Sequence, residues 1–314
     1  MPSLIVTVDA ELSGLADGQG LWGKFEGREY GLQYLLGLFA DSGAKATFFT
    51  DVYAKADPDL SHQQRACEAV VAAGHDLQLH THPGPAFDPA RTQLRAYSAV
   101  EQAAILRFGA ERIREWCGYL PSMHRAGDWA ASPATVTALA ASGFTADFSA
   151  CAWSRACGLP TQLLSGNGWQ VCDGVLFCPA TCIRNGLTGK LRRLDLHACS
   201  SRELDFVLAS HCDPVVLVMH SFSFFLEHVR FGATSPANDG SAKFRALCDY
   251  ARNGCGYDIV AAADFVRRQT QSAEREAWTA FPVTDLLTGA SRLLHAAGRR
   301  LKIKFRSPRC CHPS

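Results

Sequence analysis

Two carboxylates lie two residues apart in the segment Thr7-Val8-Asp9-Ala10-Glu11. The apolar, β-branched residues before them predict a strand that ends at this point. Side chains at positions i and i+2 of a strand point to the same side, so Asp9 and Glu11 can face a common site. Two negative charges this close are stabilised by a shared cation or a proton. An exposed strand end that carries two acids without a site is the alternative.

Two histidines have the same spacing in His80-Thr81-His82, immediately before Pro83 and Gly84. The proline and glycine predict that a strand ends here and a loop begins. Two imidazoles on one side of a strand end can bind a single metal ion. With one carboxylate they form the set that holds zinc and leaves a position open for water. A pair of surface histidines is the alternative.

An arginine and a third histidine also end predicted strands. Arg125 lies where a guanidinium can hold a carboxylate through two hydrogen bonds, unless it forms an ordinary surface salt bridge. His220 ends the apolar run PVVLVMH, the position at which catalytic residues lie in α/β barrels, and a core histidine is the alternative. Trp129 and Phe222 follow these two residues in sequence and offer aromatic faces on which a sugar ring could stack.

Short β-like runs alternate with helical patterns along most of the chain, which is typical of βα units around a largely parallel sheet. The favoured arrangement is a closed α/β barrel. The strands are predicted at residues 4–9, 45–50, 75–82, 122–125, 145–149, 175–179, 214–220 and 257–261. Because parallel strands end at the same edge, the candidate site residues are expected to meet at one mouth of the barrel.

Composition excludes several classes of protein. The 314 residues are 47% hydrophobic and 19% charged, which is typical of a globular chain with a large core. A net charge of +1, without a basic stripe or a nucleic-acid motif, gives no reason to expect a nucleic-acid partner. No apolar run approaches the roughly 20 residues of a transmembrane helix. The absence of a signal-peptide pattern and the odd count of 13 cysteines favour a reducing cytoplasmic location.

The C-terminal residues differ in character from the rest. We expect one barrel domain over residues 1–270 and a basic amphipathic tail over residues 271–314. Seven Lys or Arg residues and one Asp lie between Asp285 and the end. One face of the predicted helix carries Leu286, Ala290, Leu293, Ala297 and Leu301. This face either packs on the barrel with the basic side in water, or residues 286–309 contact an anionic membrane surface, an anionic substrate or an acidic partner.

Taken in order, these segments resemble the polysaccharide deacetylase family, which is carbohydrate esterase family 4 or the NodB-homology group. The resemblance covers roughly residues 3–265. It is carried by the segment from Thr7 to Glu11, by Gly74-His75-Asp76-Leu77-Gln78-Leu79-His80, by Arg125-Ala126-Gly127 and by Val218-Met219-His220.

The resemblance implies a distorted barrel of seven or eight β/α units and a bound Zn²⁺, or another divalent ion such as Co²⁺ or Ni²⁺. It also implies removal of an acyl group from an amide nitrogen on a sugar. Asp9 would be the general base, Arg125 would keep that carboxylate ionised and oriented, and His220 would protonate the leaving amine. Asp147 would correspond to the acid that orients the catalytic histidine.

The sequence departs from the family pattern at three positions. Ala10 stands where the family has a second Asp, so Glu11 must serve as the carboxylate ligand. Gly84 stands where the second metal-binding histidine is expected, so His82 must replace it. Gly127 stands in place of a proline in the arginine motif. Together these changes indicate a divergent branch with an Asp-x-Glu first motif.

Three hypotheses follow for the function. The first is an N-deacetylase that acts on an N-acetylated sugar in a nucleotide-linked, lipid-linked or short-glycan precursor. The second keeps the metal but has a formamide or a cyclic amide or imide as its substrate. The third is a non-catalytic glycan-binding barrel, which the changes at Ala10 and Gly84 suggest.

Overall fold

The computed structural model of the chain describes residues 1–12, 18–53, 61–231, 240–272, 274 and 276–305. In chain order the strands are β1 (Ser3–Ala10), β2 (Lys24–Phe25), β3 (Arg28–Glu29), β4 (Thr47–Asp51), β5 (Asp76–Thr81), β6 (Met123–Ala126), β7 (Ala146–Asp147), β8 (Asn167–Cys172), β9 (Val175–Phe177), β10 (Cys182–Arg184), β11 (Leu191–Arg193), β12 (Val215–His220), β13 (Asp258–Val260) and β14 (Glu276–Thr279). The α-helices are α1 (Gln19–Trp22), α2 (Leu32–Asp41), α3 (Ser61–Ala72), α4 (Ala99–Cys117), α5 (Pro133–Ala141), α6 (Ser201–Ala209), α7 (Ser223–Phe231), α8 (Gly240–Asp249), α9 (Ala262–Thr270) and α10 (Leu286–Phe305).

One curled sheet forms the centre of the molecule. Its strands follow the order β12-β1-β4-β5-β6-β7-β9-β8-β14, and β13 also pairs with β1. The strands from β12 to β9 pair in parallel, whereas β8 and β14 join antiparallel at the far side. Hairpins β2–β3 and β10–β11 lie outside this sheet. The result is a distorted half-barrel.

The strand sequences explain this arrangement. Every residue of β1 is buried, as expected for a parallel strand that is covered on both faces. Ile5 points into an inner cluster with Phe49 and Val216, while Val6 and Val8 pack in the larger cluster beneath the helices. This alternation places one set of β1 side chains inside the curled sheet.

Helix ends follow local capping signals. Ser98 and Glu101 form a capping box at the start of α4, and Gly118 ends that helix in the left-handed conformation. Pro133 occupies the first turn of α5. The backbone N–H groups of a first turn form no hydrogen bond within the helix, so a proline there costs none. These signals fix the loops that lead into β6 and β7.

The predicted strands are present within a few residues of their predicted bounds, and the barrel-like α/β fold is confirmed. The expectation of a closed barrel is wrong, because the described strands from β12 to β14 form an open, curled sheet. The antiparallel additions β8 and β14 were not predicted. Because β14 lies beyond residue 270 and pairs with β8, part of the predicted tail belongs to the sheet, and the domain boundary at 270 stays a prediction. Within the described part of the chain, we find no helix with the length and apolar character needed to span a bilayer.

Candidate active site

The C-terminal ends of four parallel strands bring the predicted residues together. The register of β1 and β12 pairs Asp9 with His220, and the register of β5 and β6 pairs His80 with Arg125. Strand pairing alone therefore fixes which backbones are neighbours at this edge. Their side chains converge because all four occupy inward-facing positions.

Arg125 crosses the inside of the half-barrel to reach Asp9. Its Nη1 donates a hydrogen bond of 2.6 Å to Asp9 Oδ1, and its Nη2 donates one of 3.0 Å to Thr7 Oγ1. Its Nε donates to the carbonyl oxygen of Phe148 at 3.2 Å. The guanidinium carbon also lies 4.3 Å from the centre of the Phe49 ring. Arg125 is completely buried, so these contacts hold the guanidinium in one orientation.

The electrostatics keep Asp9 ionised. Burial alone would raise the pKa of its carboxyl group, but the charge and hydrogen bond of Arg125, with electrostatic interactions from His80 and His220, outweigh that effect and lower the pKa below its ordinary value. His220 Nε2 lies 3.9 Å from Asp9 Oδ2. Burial lowers the pKa of His220, and the opposing attraction of Asp9 does not fully compensate. A carboxylate and a neutral imidazole therefore lie side by side.

Glu11, His80 and His82 form the candidate metal centre. Their donor atoms all lie within 4.8 Å of one another. Within the described residues, this is the cluster of three His, Cys, Asp or Glu side chains that could hold a metal ion. Glu11 Oε2 is 2.6 Å from His82 Nε2 and 3.7 Å from His80 Nε2. His80 Nδ1 is buried and has no hydrogen-bond partner in the structure. Two imidazoles and one carboxylate suit zinc, and they also suit Co²⁺ or Ni²⁺.

The charges in this group respond to one another. Burial would raise the pKa of Glu11, but its contacts with His80 and His82 lower it well below the ordinary value. Burial would lower the pKa of His82, but the hydrogen bond with Glu11 raises it to about 9. Without a metal, the two groups thus form an ion pair. A cation would replace the proton that now compensates the carboxylate.

Gly127 makes room for His82. A Cβ atom at position 127 would lie only 2.3 Å from His82 Cε1 and 2.5 Å from both ring nitrogens. Any larger residue here, including the proline that the family pattern has, would push the imidazole away from Glu11. Two of the departures from that pattern are therefore physically linked, because the histidine at position 82 needs the glycine at position 127.

These groups open into a cleft of about 220 Å³. Five of the six predicted catalytic and metal-binding residues line it, and so does Trp129. The sixth, Arg125, lies behind Asp9. Trp153, Arg193 and Asp128 also line the cleft, and sequence reasoning missed them. The Arg193 guanidinium carbon lies 5.5 Å and 5.2 Å from the ring centres of Trp129 and Trp153.

The backbone at this wall of the cleft is unusual. Asp128 and Trp129 have φ angles of 55° and 62°, a left-handed conformation that residues other than glycine rarely adopt. Such conformations persist where surrounding contacts enforce them, often at functional sites. This turn follows β6 directly and places the largely buried Trp129 in the lining of the cleft.

Two predicted residues lie elsewhere than expected. Asp147 is completely buried, and its Oδ2 lies 2.7 Å from His124 Nδ1, so it neither lines the cleft nor contacts His220. The acids whose charges act on His220 are Asp9, Asp195 and Glu11. Phe222 is not among the residues that line the cleft, and its ring centre lies 5.0 Å from that of His220. Phe222 therefore borders His220.

Two buried acids near the site were not identified from the sequence. Asp195 follows β11, and although burial opposes it, the charge and hydrogen bond of Arg193, with electrostatic interactions from His220 and His197, lower its pKa to about 2. Asp51 ends β4, and its position at a strand end was the one available clue. Burial raises the pKa of Asp51 despite the nearby His82 and His80.

Comparison with known proteins adds to this geometry. No protein-family model matches the sequence, and no curated protein matches it. Solved structures do match. A Mycobacterium smegmatis protein assigned to the polysaccharide deacetylases superimposes with a TM-score of 0.58 at 16% identity, over 88% of this chain and 93% of that one.

Two other solved structures are more distant. A family 4 carbohydrate esterase from Streptomyces lividans, in complex with acetate, has a TM-score of 0.43 at 17% identity, over 82% of this chain and 93% of its own. The chitin deacetylase of the fungal pathogen Colletotrichum lindemuthianum has a TM-score of 0.48 at 14% identity, over 84% of this chain and 87% of its own. The first comparison shows that this chain has the polysaccharide deacetylase fold.

Proposed function

We propose that this protein is a metal-dependent hydrolase that removes an N-acyl group, most simply N-acetyl, from an amino sugar or a glycan precursor. One observation carries the proposal. The Asp9 carboxylate, held by the buried Arg125 and neighbouring His220, opens into the same cleft as the Glu11, His80 and His82 group. A base, an acid and a metal centre around one cleft are what hydrolysis of an unactivated amide requires.

The residues have separate roles in this reaction. Glu11, His80 and His82 would hold a divalent ion, which would supply Lewis-acid polarisation of the acyl carbonyl and make the attacking water more acidic. Asp9 accepts a proton from that water as its oxygen bonds to the acyl carbon. The carbon–nitrogen bond then breaks, and the departing amine takes a proton from His220.

His220 must gain a proton before it can give one. Its pKa is lowered, so the imidazole of the resting protein is neutral near pH 7. The adjacent Asp9, 3.9 Å away, holds the proton that it has taken from water. We expect the proton to reach the leaving nitrogen through this pair, since general acids act within hydrogen-bond reach or through one water.

The cleft favours a sugar over a small formamide or cyclic imide. Trp153 is 44% exposed at the mouth, next to Trp129. An exposed indole presents a flat apolar face with a polar edge, which suits stacking on a pyranose ring. Asp128 and Arg193 beside these rings add hydrogen-bonding groups for sugar hydroxyls.

Metal content and acetate release test this function together. The wild-type protein, Glu11→Ala and His80→Ala would be analysed by elemental mass spectrometry and then incubated with N-acetylated oligosaccharides and a nucleotide-linked N-acetylglucosamine. We expect about one zinc-like ion per chain in the wild type, lost in both variants together with acetate release. Glu68→Ala, an exposed glutamate on α3, is the matched control and should keep both.

Each alternative hypothesis has its own outcome in this experiment. Bound metal with turnover confined to formamides or cyclic imides would replace the proposal with the second hypothesis. Glycan binding without metal or turnover, after addition of zinc or cobalt, would leave a non-catalytic barrel.

A further inference from the structure

Helix α10 turns its leucines to the solvent. Leu286, Leu287, Leu293 and Leu294 are 66%, 67%, 50% and 74% exposed. At 100° per residue these four positions fall within an arc of about 120° on one side of the helix. An ordinary surface helix buries such a stripe. Of the two alternatives for the predicted face, packing on the barrel is therefore wrong for its members Leu286 and Leu293.

Polar groups hold the opposite side of α10 against the protein. Thr288 and Arg292 are only 2% and 7% exposed. Arg292 donates a hydrogen bond to the carbonyl oxygen of Ala198, and Asn185 Nδ2 donates one of 3.2 Å to the carbonyl oxygen of Gly289. Because the inward face is fixed by specific hydrogen bonds, the orientation that exposes the leucines is well defined.

A cationic cavity borders the exposed leucines. It has a volume of about 510 Å³ and lies between α10 and the β10–β11 hairpin. Lys190, Arg192 and Arg292 line it, together with Leu293 of the exposed face, and none of its described lining residues is an acid. Arg192 Nε is buried without a hydrogen-bond partner. Burial and the nearby positive charge of Arg292 both lower the pKa of Arg192, and Cys199, Glu203 and Asp195 only partly oppose this.

This cavity is separate from the catalytic cleft. Arg192 and Arg193 are consecutive on β11, and neighbouring residues of a strand point to opposite faces. Arg193 lines the cleft, whereas Arg192 lines the cavity beneath α10. The hairpin thus has one arginine in each site.

The charge of the C-terminal residues indicates what binds to the exposed face of α10. Seven Lys or Arg residues and one Asp lie from residue 285 to the end, a local net charge of +6. Four of these, Arg299, Arg300, Lys302 and Lys304, occupy the last two turns of α10. Two copies of this helix would repel each other, which disfavours a dimer through this face. An anionic surface with an apolar interior complements both the charge and the leucines.

We propose that α10 and the β10–β11 hairpin form a docking surface for an anionic phospholipid bilayer, with the exposed leucines entering the acyl boundary and a headgroup phosphate in the adjoining cavity. A helix with a strongly apolar face and neighbouring basic residues lies in the interfacial plane of a membrane. The phosphate would give Arg192 Nε the acceptor that it lacks. Bilayer attachment would hold the barrel at a membrane surface, independently of its catalytic activity.

Vesicle co-sedimentation of the full chain without substrate tests this surface, so its result does not depend on the proposed function. We expect binding to vesicles that contain phosphatidylglycerol, little binding to phosphatidylcholine alone, and loss of binding in high salt. The double variant Leu286→Ser, Leu294→Ser should weaken binding by about tenfold or more. Val100→Ser, Leu120→Ser changes two similarly exposed residues, 79% and 54%, in and after α4, and should bind as the wild type does.

The charge requirement has its own pair of variants. Lys190→Glu should weaken binding to the anionic vesicles, while Arg107→Glu, an exposed position on α4, should not. The proposal is overturned if wild-type protein ignores anionic vesicles, or if the control variants weaken binding equally. Saturable binding of inorganic phosphate without vesicle binding would overturn it in favour of a soluble ligand. Concentration-dependent dimers abolished by the leucine changes, without vesicle binding, would overturn it in favour of self-association.

Discussion

Arg125 donates a 2.6 Å hydrogen bond to Asp9 from a strand that is three positions away in the sheet. The pair spans the inside of the half-barrel, and both side chains are buried. A buried ion pair of this kind costs desolvation energy that its mutual attraction has to offset. Its value to the protein lies in a carboxylate that stays ionised and oriented beside His220 and the candidate metal centre.

Replacing the candidate base should abolish most of the reaction and keep the fold, at a lower stability because the buried Arg125 loses its counter-charge. Asp9→Asn keeps the shape of the side chain and one oxygen for the bond from Arg125, but it cannot accept a proton from water. We expect acetate release to fall by about 10²- to 10⁴-fold, with metal content unchanged. Steady-state kinetics and elemental analysis measure both. Activity close to the wild-type rate would remove Asp9 from the mechanism.

Removing the arginine should affect stability first. Arg125→Met leaves Asp9 as an uncompensated buried charge, so the free energy of unfolding should fall by about 3–5 kcal/mol. Adding Asp9→Leu to this variant should recover much of that loss but no activity. Urea denaturation of Arg125→Met, Asp9→Leu and the double variant gives the interaction free energy between the two side chains. Independent, additive effects would contradict the ion pair that the structure shows.

The link between Gly127 and His82 predicts an unusual glycine effect. In Gly127→Ala the new methyl group would displace the His82 imidazole, since no Cβ fits at 2.3 Å from its Cε1. Zinc affinity should fall by about tenfold or more. Gly37→Ala is the matched control, because a Cβ there meets nothing within 4 Å. Equal zinc affinities for both variants, measured by chelator competition, would show that His82 is not a ligand.

Buried His124 should make stability depend on pH. Burial lowers its pKa below the value of 6.5 in the unfolded chain, although Asp147 partly opposes this. The unfolded chain therefore binds the extra proton, so the stability from neutral His124 is present above pH 6.5 and is lost as pH falls below it. The slope is at most about 1.4 kcal/mol per pH unit.

A substitution isolates this contribution from the other titrating groups. His124→Gln lacks the imidazole, so the gap in unfolding free energy between it and the wild type should narrow from about pH 7.5 to about pH 5. Urea denaturation at both values measures the gap. His211→Gln, on the surface, should show no such change. A gap that stays constant with pH would mean that His124 does not titrate in this range.

Trp153 should contribute to substrate binding more than to the chemical step. Trp153→Ala removes an indole that is 44% exposed at the cleft, so KM for an oligosaccharide should rise by about tenfold, with kcat nearly unchanged. Trp278→Ala removes a 57% exposed indole from β14 and should leave KM unchanged. A fall in kcat with constant KM would place Trp153 in the reaction itself.

Local periodicity was sufficient to predict much of the fold and the candidate site. Asp9 and Glu11, like His80 and His82, share a side because strands repeat every two residues. His220 was recognisable because it ends an apolar run. Parallel strands end at one edge, so these side chains had to meet there. The sequence alone therefore determined the α/β class, the order of strands and helices along the chain, and the chemical groups available at the cleft.

The remaining features depend on contacts between distant segments. The pairing of Asp147 with His124 follows from the register of β6 and β7. The pairing of Arg125 with Asp9 joins strands three positions apart, so it depends on the way the sheet curls. The space that Gly127 leaves for His82 likewise exists only once β5 and β6 are neighbours.

The tertiary structure also decided which side of α10 faces the protein. Its sequence shows an apolar stripe but not whether that stripe finds a partner, and the buried Arg292 and Thr288 occupy the inward side. Periodicity specifies which residues share a face, because it arises within one element. The partner of that face depends on contacts between distant segments, and these contacts are determined by the free energy of the whole folded chain.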